Sequence, residues 1–165
     1  MAQEYSFDIS AQVDLQAIDD VINNALKEIK NRFDFKNVKA EIIFNRGEKI
    51  VTYEAPSDFQ VKQIKDIVLS KMAKRGVSGK ALQEKKTENS SGGGVRIIYE
   101  VVQGIEKEMA KQIAKDIKES GIKVKTAIQN EQIRVSGPDK DDLQKTINLV
   151  KEKDYPLPLQ FVNYR

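Results

Sequence analysis

Hydrophobic and polar positions along this chain alternate between two periods, and the order of the changes predicts its elements. From Tyr5 to Val13 the apolar residues Tyr5, Phe7 and Ile9 alternate with Ser6, Asp8 and Ser10, the period of a strand with one buried face. From Asp14 the spacing turns helical: Leu15, Ile18, Val21, Ile22, Ala25 and Ile29 share a face, and Asp14 is placed to cap the first turn. After the string Arg32-Phe33-Asp34-Phe35-Lys36, Val38 to Phe44 and Lys49 to Glu54 read as two strands joined by a glycine-containing loop of hairpin length. A second helix is expected from Pro56-Ser57-Asp58-Phe59-Gln60. Ser57 and Gln60 have capping-box spacing, Phe59, Ile64, Ile67, Val68 and Met72 form an apolar stripe, and Gly76 ends the helix. A short strand around Ala81 to Gln83 follows.

The run Ser90-Ser91-Gly92-Gly93-Gly94 then leads into Val95 to Val102, a β-branched and aromatic strand, so residues 87–94 read as a flexible joint. Beyond it the pattern repeats. Gly104 to Ser120 is a helix with Ile105, Met109, Ile113 and Ile117 spaced by four, and Ile122 to Ile128 and Gln132 to Ser136 form a strand pair. Gly137-Pro138-Asp139 opens a last helix, and Leu157 to Tyr164 closes the chain as a strand. Strand, helix, strand, strand, helix, strand occurs twice, with Asn37-Val38-Lys39-Ala40-Glu41-Ile42 echoed by Lys123-Val124-Lys125-Thr126-Ala127-Ile128. The fold class is α+β: two ferredoxin-like sandwiches of the split βαβ type, from a duplication.

Composition narrows the chemistry. Lys and Arg number 28 against 25 Asp and Glu, a net charge of +3, so only local clustering of cations can mark a polyanion site. No apolar run is long enough to span a bilayer, and Met1-Ala2-Gln3-Glu4 lacks the features of a secretory leader, so the expected address is the cytoplasm, away from membranes. There is no histidine and no cysteine, which removes the commonest acid-base and nucleophilic groups. No carboxylate pair and no metal-binding loop stands out, so a non-catalytic protein without cofactor or metal is expected. The glycine run is no phosphate cradle, because Gly94 is followed by Val95-Arg96 and a strand, where a P-loop needs a lysine and a hydroxyl opening a helix.

Several strings together resemble the YajQ family of bacterial proteins: Ser6-Phe7-Asp8-Ile9, Arg32-Phe33-Asp34-Phe35-Lys36, Lys74-Arg75-Gly76, Gly94-Val95-Arg96, and Leu157-Pro158-Leu159-Gln160-Phe161-Val162-Asn163-Tyr164-Arg165. Phe33 stands where that family more often has tyrosine, and Asn37 where glycine is usual. The resemblance implies that the two domains exchange their first strands. The first domain would then be residues 14–91 with strand 95–103, and the second 104–165 with strand 4–13. It also implies a nucleotide-binding protein whose partner is cyclic di-GMP or RNA; the alternatives are an adaptor of a transcription regulator and, behind it, a phosphoryl-transfer or phosphodiesterase enzyme.

Three groups of residues are candidates for such binding. Arg32, Phe33, Phe35 and Lys36 combine rings that can stack on a base with cations for phosphate, although rings at a helix end also serve to plug a core. Lys74 and Arg75, with Lys71, Lys62 and Lys65 on the same helix, form a cluster suited to phosphate or to an ordinary solvated face. Arg96, Asn163, Tyr164 and Arg165 offer a phosphate fork, an amide and a stacking ring on strands of the exchanged sheets and near the domain cleft.

Overall fold

A computed structural model of the chain describes residues 3–90 and 92–165. Met1 and Ala2, at the start of the stretch read for a leader, and Ser91, inside the glycine-rich run, lie outside the described residues. In chain order the elements are β1 (Tyr5–Ser10), α1 (Leu15–Asn31), β2 (Glu41–Asn45), β3 (Ile50–Ala55), α2 (Asp58–Arg75), β4 (Leu82–Asn89), β5 (Val95–Val101), α3 (Lys107–Glu119), β6 (Lys125–Gln129), β7 (Gln132–Gly137), α4 (Lys140–Lys153) and β8 (Gln160–Val162). The strands form two four-stranded antiparallel sheets, ordered β2-β3-β5-β4 and β6-β7-β1-β8. Both have the ferredoxin-like order, with β5 and β1 in the inner positions that the first strand of such a unit takes. Each of these strands lies in the sheet of the other half of the chain, as the resemblance implies.

One unit is the continuous stretch Val13–Val102. Val51, Tyr53 and Ala55 of β3 and Ile97, Tyr99 and Val101 of β5 alternate inward and are buried, with β3 and β5 packed against α2 and β2 against α1. Asp14 caps α1 by accepting from the Gln16 amide at 2.9 Å, and Ser57 caps α2 by accepting from the Gln60 amide at 3.2 Å. The buried stripe of α2 is Val61, Ile64, Ile67, Val68 and Met72. Phe59 does not belong to it and is 72% exposed. The five residues from Phe59 to Ile64 turn a helix by about 500°, leaving Phe59 about 140° off the stripe.

The glycine-rich run, read from the sequence as a flexible joint, closes a hairpin within one sheet. Thr87, Glu88 and Asn89 belong to β4, which pairs with β5 from Leu82↔Val101 to Asn89↔Val95. Ser90 and Gly92 to Gly94 therefore close a hairpin, with the Ser90 amide donating to the Gly94 carbonyl at 2.9 Å. Glycine is required at the end of this turn, because a Cβ on Gly94 would lie 2.9 Å from the Ala55 carbonyl oxygen. The chain passes from one sheet to the helices of the other at residues 11–14 and returns at residues 102–106.

The other unit joins residues 1–12 to Gln103–Arg165. Phe7 and Ile9 of β1 and Ile133 and Val135 of β7 are fully buried beneath α3 and α4, with Ile113, Ile117, Leu143, Ile147 and Val150. The terminal strand is shorter than expected, but pairing resumes beyond it. Asp8 stands opposite Val162, while Ser6 exchanges backbone hydrogen bonds of 3.2 and 2.9 Å with Arg165. One residue separates Ser6 from Asp8 and two separate Val162 from Arg165, so β8 carries a bulge. Asn163 absorbs it with φ 57°.

Candidate functional site: a basic groove between two helices

Within Val13–Val102, α1 and α2 run antiparallel along the sheet. Asp20 meets Arg75, Glu28 meets Lys71, and Asp34 just beyond α1 meets Gln63. Between the helices lies a groove of about 570 Å3 lined by Asn24, Lys27, Glu28, Asn31, Arg32, Lys71, Lys74 and Arg75. Five cations thus face one carboxylate. Neither helix turns its N-terminus to the groove, so an anion there is held by side chains and not by backbone amides.

Three of the five cations already have partners. Glu28 takes Lys71 at 3.0 Å and Arg32 at 3.1 Å, Arg75 reaches Asp20 at 3.2 Å, and Arg32 also forks onto Asp34 at 2.9 and 2.7 Å. These bonds move the carboxyls below their usual range, Lys71 and then Arg32 acting on Glu28, and Arg32 on Asp34. Asp34 and then Glu28 push the Arg32 guanidinium higher still. Lys27 and Lys74 are exposed and make no ion pair among the described residues, which leaves two uncompensated charges at the groove.

The structure divides the residues singled out in the sequence. Phe35 is 5% exposed and plugs the core, with the Arg32 guanidinium 5.8 Å from its ring centroid. Phe33, two residues earlier, is 88% exposed on a 3-10 turn and presents a bare ring beside Arg32. Lys36 is exposed and makes no ion pair among the described residues. Asn37 has φ 62°, a left-handed conformation that glycine and asparagine enter most readily. Lys62 and Lys65 are not part of the groove, since they pair with Asp58 at 2.9 Å and Glu84 at 3.8 Å. Lys27, Asn24 and Asn31 were not singled out in the sequence. They enter the groove only because α1 packs against α2.

Arg96 lies on the face of its sheet turned away from the helices, in the cross-strand row Glu41, Glu54, Arg96 and Glu88. It donates to Glu88 at 3.0 Å and to Glu54 at 3.4 Å. Among three carboxylates it neutralises strand neighbours that would otherwise repel. The bulge separates the remaining candidates. Asn163 turns to the helix-free face and donates to Asp8 at 2.8 Å, whereas Tyr164 turns to the opposite side, its ring centroid 6.2 Å from that of Phe7. Tyr164 is 66% exposed, and Arg165 follows it at the same edge.

Asp8 differs from the expectation of an open polar face. It is 4% exposed, held by Arg134 at 3.0 and 3.4 Å and by Asn163. The hydrogen bonds from Arg134 keep its carboxyl below the ordinary value of 3.8, burial opposes them, and Asn163 adds to the lowering. A carboxyl that titrates lower in the folded chain contributes its full stability above its unfolded pKa and loses it as pH falls through the folded one. We expect thermal melts to drop as pH falls below about 4. Asp8→Asn should lower the melting temperature at pH 7 by on the order of 5 °C and flatten that acid dependence. Equal acid dependence in both proteins would remove Asp8 from this role.

Among the described residues no three His, Cys, Asp or Glu side chains gather as a metal site, and no helix is long and apolar enough to cross a membrane. In comparisons with known proteins, the family described as "Nucleotide-binding protein YajQ-like" matches residues 5–165. A protein of Desulforamulus reducens named "Nucleotide-binding protein" is 46% identical over 165 residues, covering 100% of this chain and 99% of its own. Proteins of the same name from Geotalea uraniireducens and Geotalea daltonii are 49% and 48% identical, each covering 97% of this chain and 98% of its own.

Proposed function

The chain belongs to the family of YajQ-like nucleotide-binding proteins, and from that premise we propose that it binds nucleotide phosphates, without catalysis, in the groove between α1 and α2. The observation that carries this reading is the pair Lys27 and Lys74, which make no ion pair among the described residues and stand in a groove of five cations and one carboxylate. Cations clustered on a solvated surface release counterions when they meet a polyanion, which supplies affinity without sequence preference. No aromatic ring lines the groove, but the exposed Phe33 beside Arg32 gives a base a surface to stack on as its phosphate enters. RNA suits this arrangement best. Cyclic di-GMP, with two phosphates, is the small-ligand form of the same chemistry. The non-catalytic part of the reading rests on a sequence with neither histidine nor cysteine, and the expected setting is the cytoplasm.

An adaptor role toward a transcription regulator has separate support. On the helix-free face of the β2-β3-β5-β4 sheet, Ile43, Thr52 and Ile98 form one cross-strand row, and Ile43 is an exposed large hydrophobic residue. Titrating a structured RNA hairpin and cyclic di-GMP into the full chain at low and high salt tests the primary reading. Saturable binding that weakens as salt rises is expected for at least one of them. No saturable binding of either overturns it.

A further inference from the structure

The unit made of residues 1–12 and 103–165 has a groove of its own, of about 530 Å3, which shares no lining residue with the one between α1 and α2. Its composition is different. Tyr5 and Tyr164 contribute rings, Lys140 and Arg165 contribute charge, and Phe7, Leu143 and Ile147 lie buried beneath. The bulge at Asn163 builds this site, because in a regular strand Tyr164 would share the face of Val162, on the side away from the helices. Turned by the extra residue, its ring lies 6.2 Å from that of Phe7 at a tilt of 33°, and the residue stays 66% exposed. Lys140, just inside α4, sits 4.8 Å from the centroid of the Tyr5 ring and makes no ion pair among the described residues.

An exposed ring above an apolar floor accepts a flat, unsaturated ring system. A cation held on a second ring beside it accepts one anionic group. Two cations set among rings suit a singly phosphorylated ligand, whereas five in a ring-free groove suit a backbone. The volume lies within the usual range for small-molecule sites, about 300–1,000 Å3. We propose that this groove binds a nucleoside monophosphate, its base stacked on Tyr164 and its phosphate held by Lys140. The site is independent of the groove between α1 and α2.

Calorimetric titration of the full chain with AMP and GMP, and with the free nucleosides and inorganic phosphate as controls, tests the assignment. At least one monophosphate should saturate a single site, with its nucleoside and inorganic phosphate both weaker by about tenfold or more. Tyr164→Ala and Lys140→Met should each weaken it by about tenfold, Tyr164→Phe should retain it, and the Lys27→Ala/Lys74→Ala pair should leave it unchanged. Tyr164 and Lys140 are exposed, so the melting temperature should hold in all four proteins. The proposal fails if neither monophosphate saturates at millimolar concentration, if inorganic phosphate binds as tightly, or if Tyr164→Ala and Lys140→Met bind like the parent. It also fails if Lys27→Ala/Lys74→Ala abolishes monophosphate binding, since the ligand then occupies the other groove.

Discussion

Residues 103–165 produced without the first strand are expected to show no cooperative unfolding transition, while residues 13–102 fold alone. The two halves of the chain are comparable in their elements but not in their completeness. Residues 13–102 contain α1, α2 and all four strands of the sheet β2-β3-β5-β4. Residues 103–165 lack β1, which lies between β7 and β8. Without it β8, three residues long, loses its strand partner, and β7 is left with an open edge. Phe7 and Ile9, both fully buried, also leave the core. Burying each contributes about 1.5–3 kcal/mol, a large share of the roughly 5–15 kcal/mol that holds a whole domain together. We propose these units as the domains of the protein, one of them inserted into the other after β1. Adding a peptide of residues 3–12 to the 103–165 fragment should restore a melting transition. Cooperative folding of 103–165 as a monomer by itself would refute this division.

Replacing Lys27 and Lys74 together by alanine is expected to weaken RNA binding by about tenfold while the melting temperature stays within a few degrees. Both side chains are exposed and without an ion pair among the described residues, so their removal frees no buried partner. The other groove cations behave differently. Removing Lys71 or Arg32 leaves Glu28 with one partner fewer, which mixes a change in binding with a change in packing. The double glutamate variant, Lys27→Glu/Lys74→Glu, should bind more weakly than the alanine pair, because it adds repulsion where attraction has been removed. Arg96→Ala serves as the contrast: its neighbours Glu41, Glu54 and Glu88 make it a strand neutraliser, so stability should fall and affinity for RNA should not.

The helices were legible in the sequence because each buries one stripe and solvates the rest, and their caps are local. Asp14 and Ser57 act within three residues of themselves. Strand β4 was mostly hidden. Its sequence Leu-Gln-Glu-Lys-Lys-Thr-Glu-Asn has almost no apolar alternation, since an edge strand exposes most of its length, and an irregularity between Glu84 and Lys86 shifts the little that exists. Only pairing with β5 makes it a strand. With β4 hidden, the glycine run looks like a tether between domains, because a hairpin turn and a linker draw on the same residues.

The candidate sites show the same limit. Phe33 and Phe35 are indistinguishable by composition, and the 3-10 turn alone decides which is buried. Asn163, Tyr164 and Arg165 read as one cluster on a regular strand, and a single left-handed residue divides them between two sides of the sheet. Lys27 and Lys74 come together only through the packing of two helices, for which neither residue carries a local signal.

The salt dependence of binding of a single-stranded RNA by the full chain, compared with that of Lys27→Ala/Lys74→Ala, tests the central claim most directly. If both lysines hold phosphates, the slope of log affinity against log salt should be shallower in the variant by about 1.4, that is about 0.7 for each single-strand phosphate no longer neutralised. An unchanged slope with unchanged affinity would place the phosphates elsewhere and contradict the assignment of the groove.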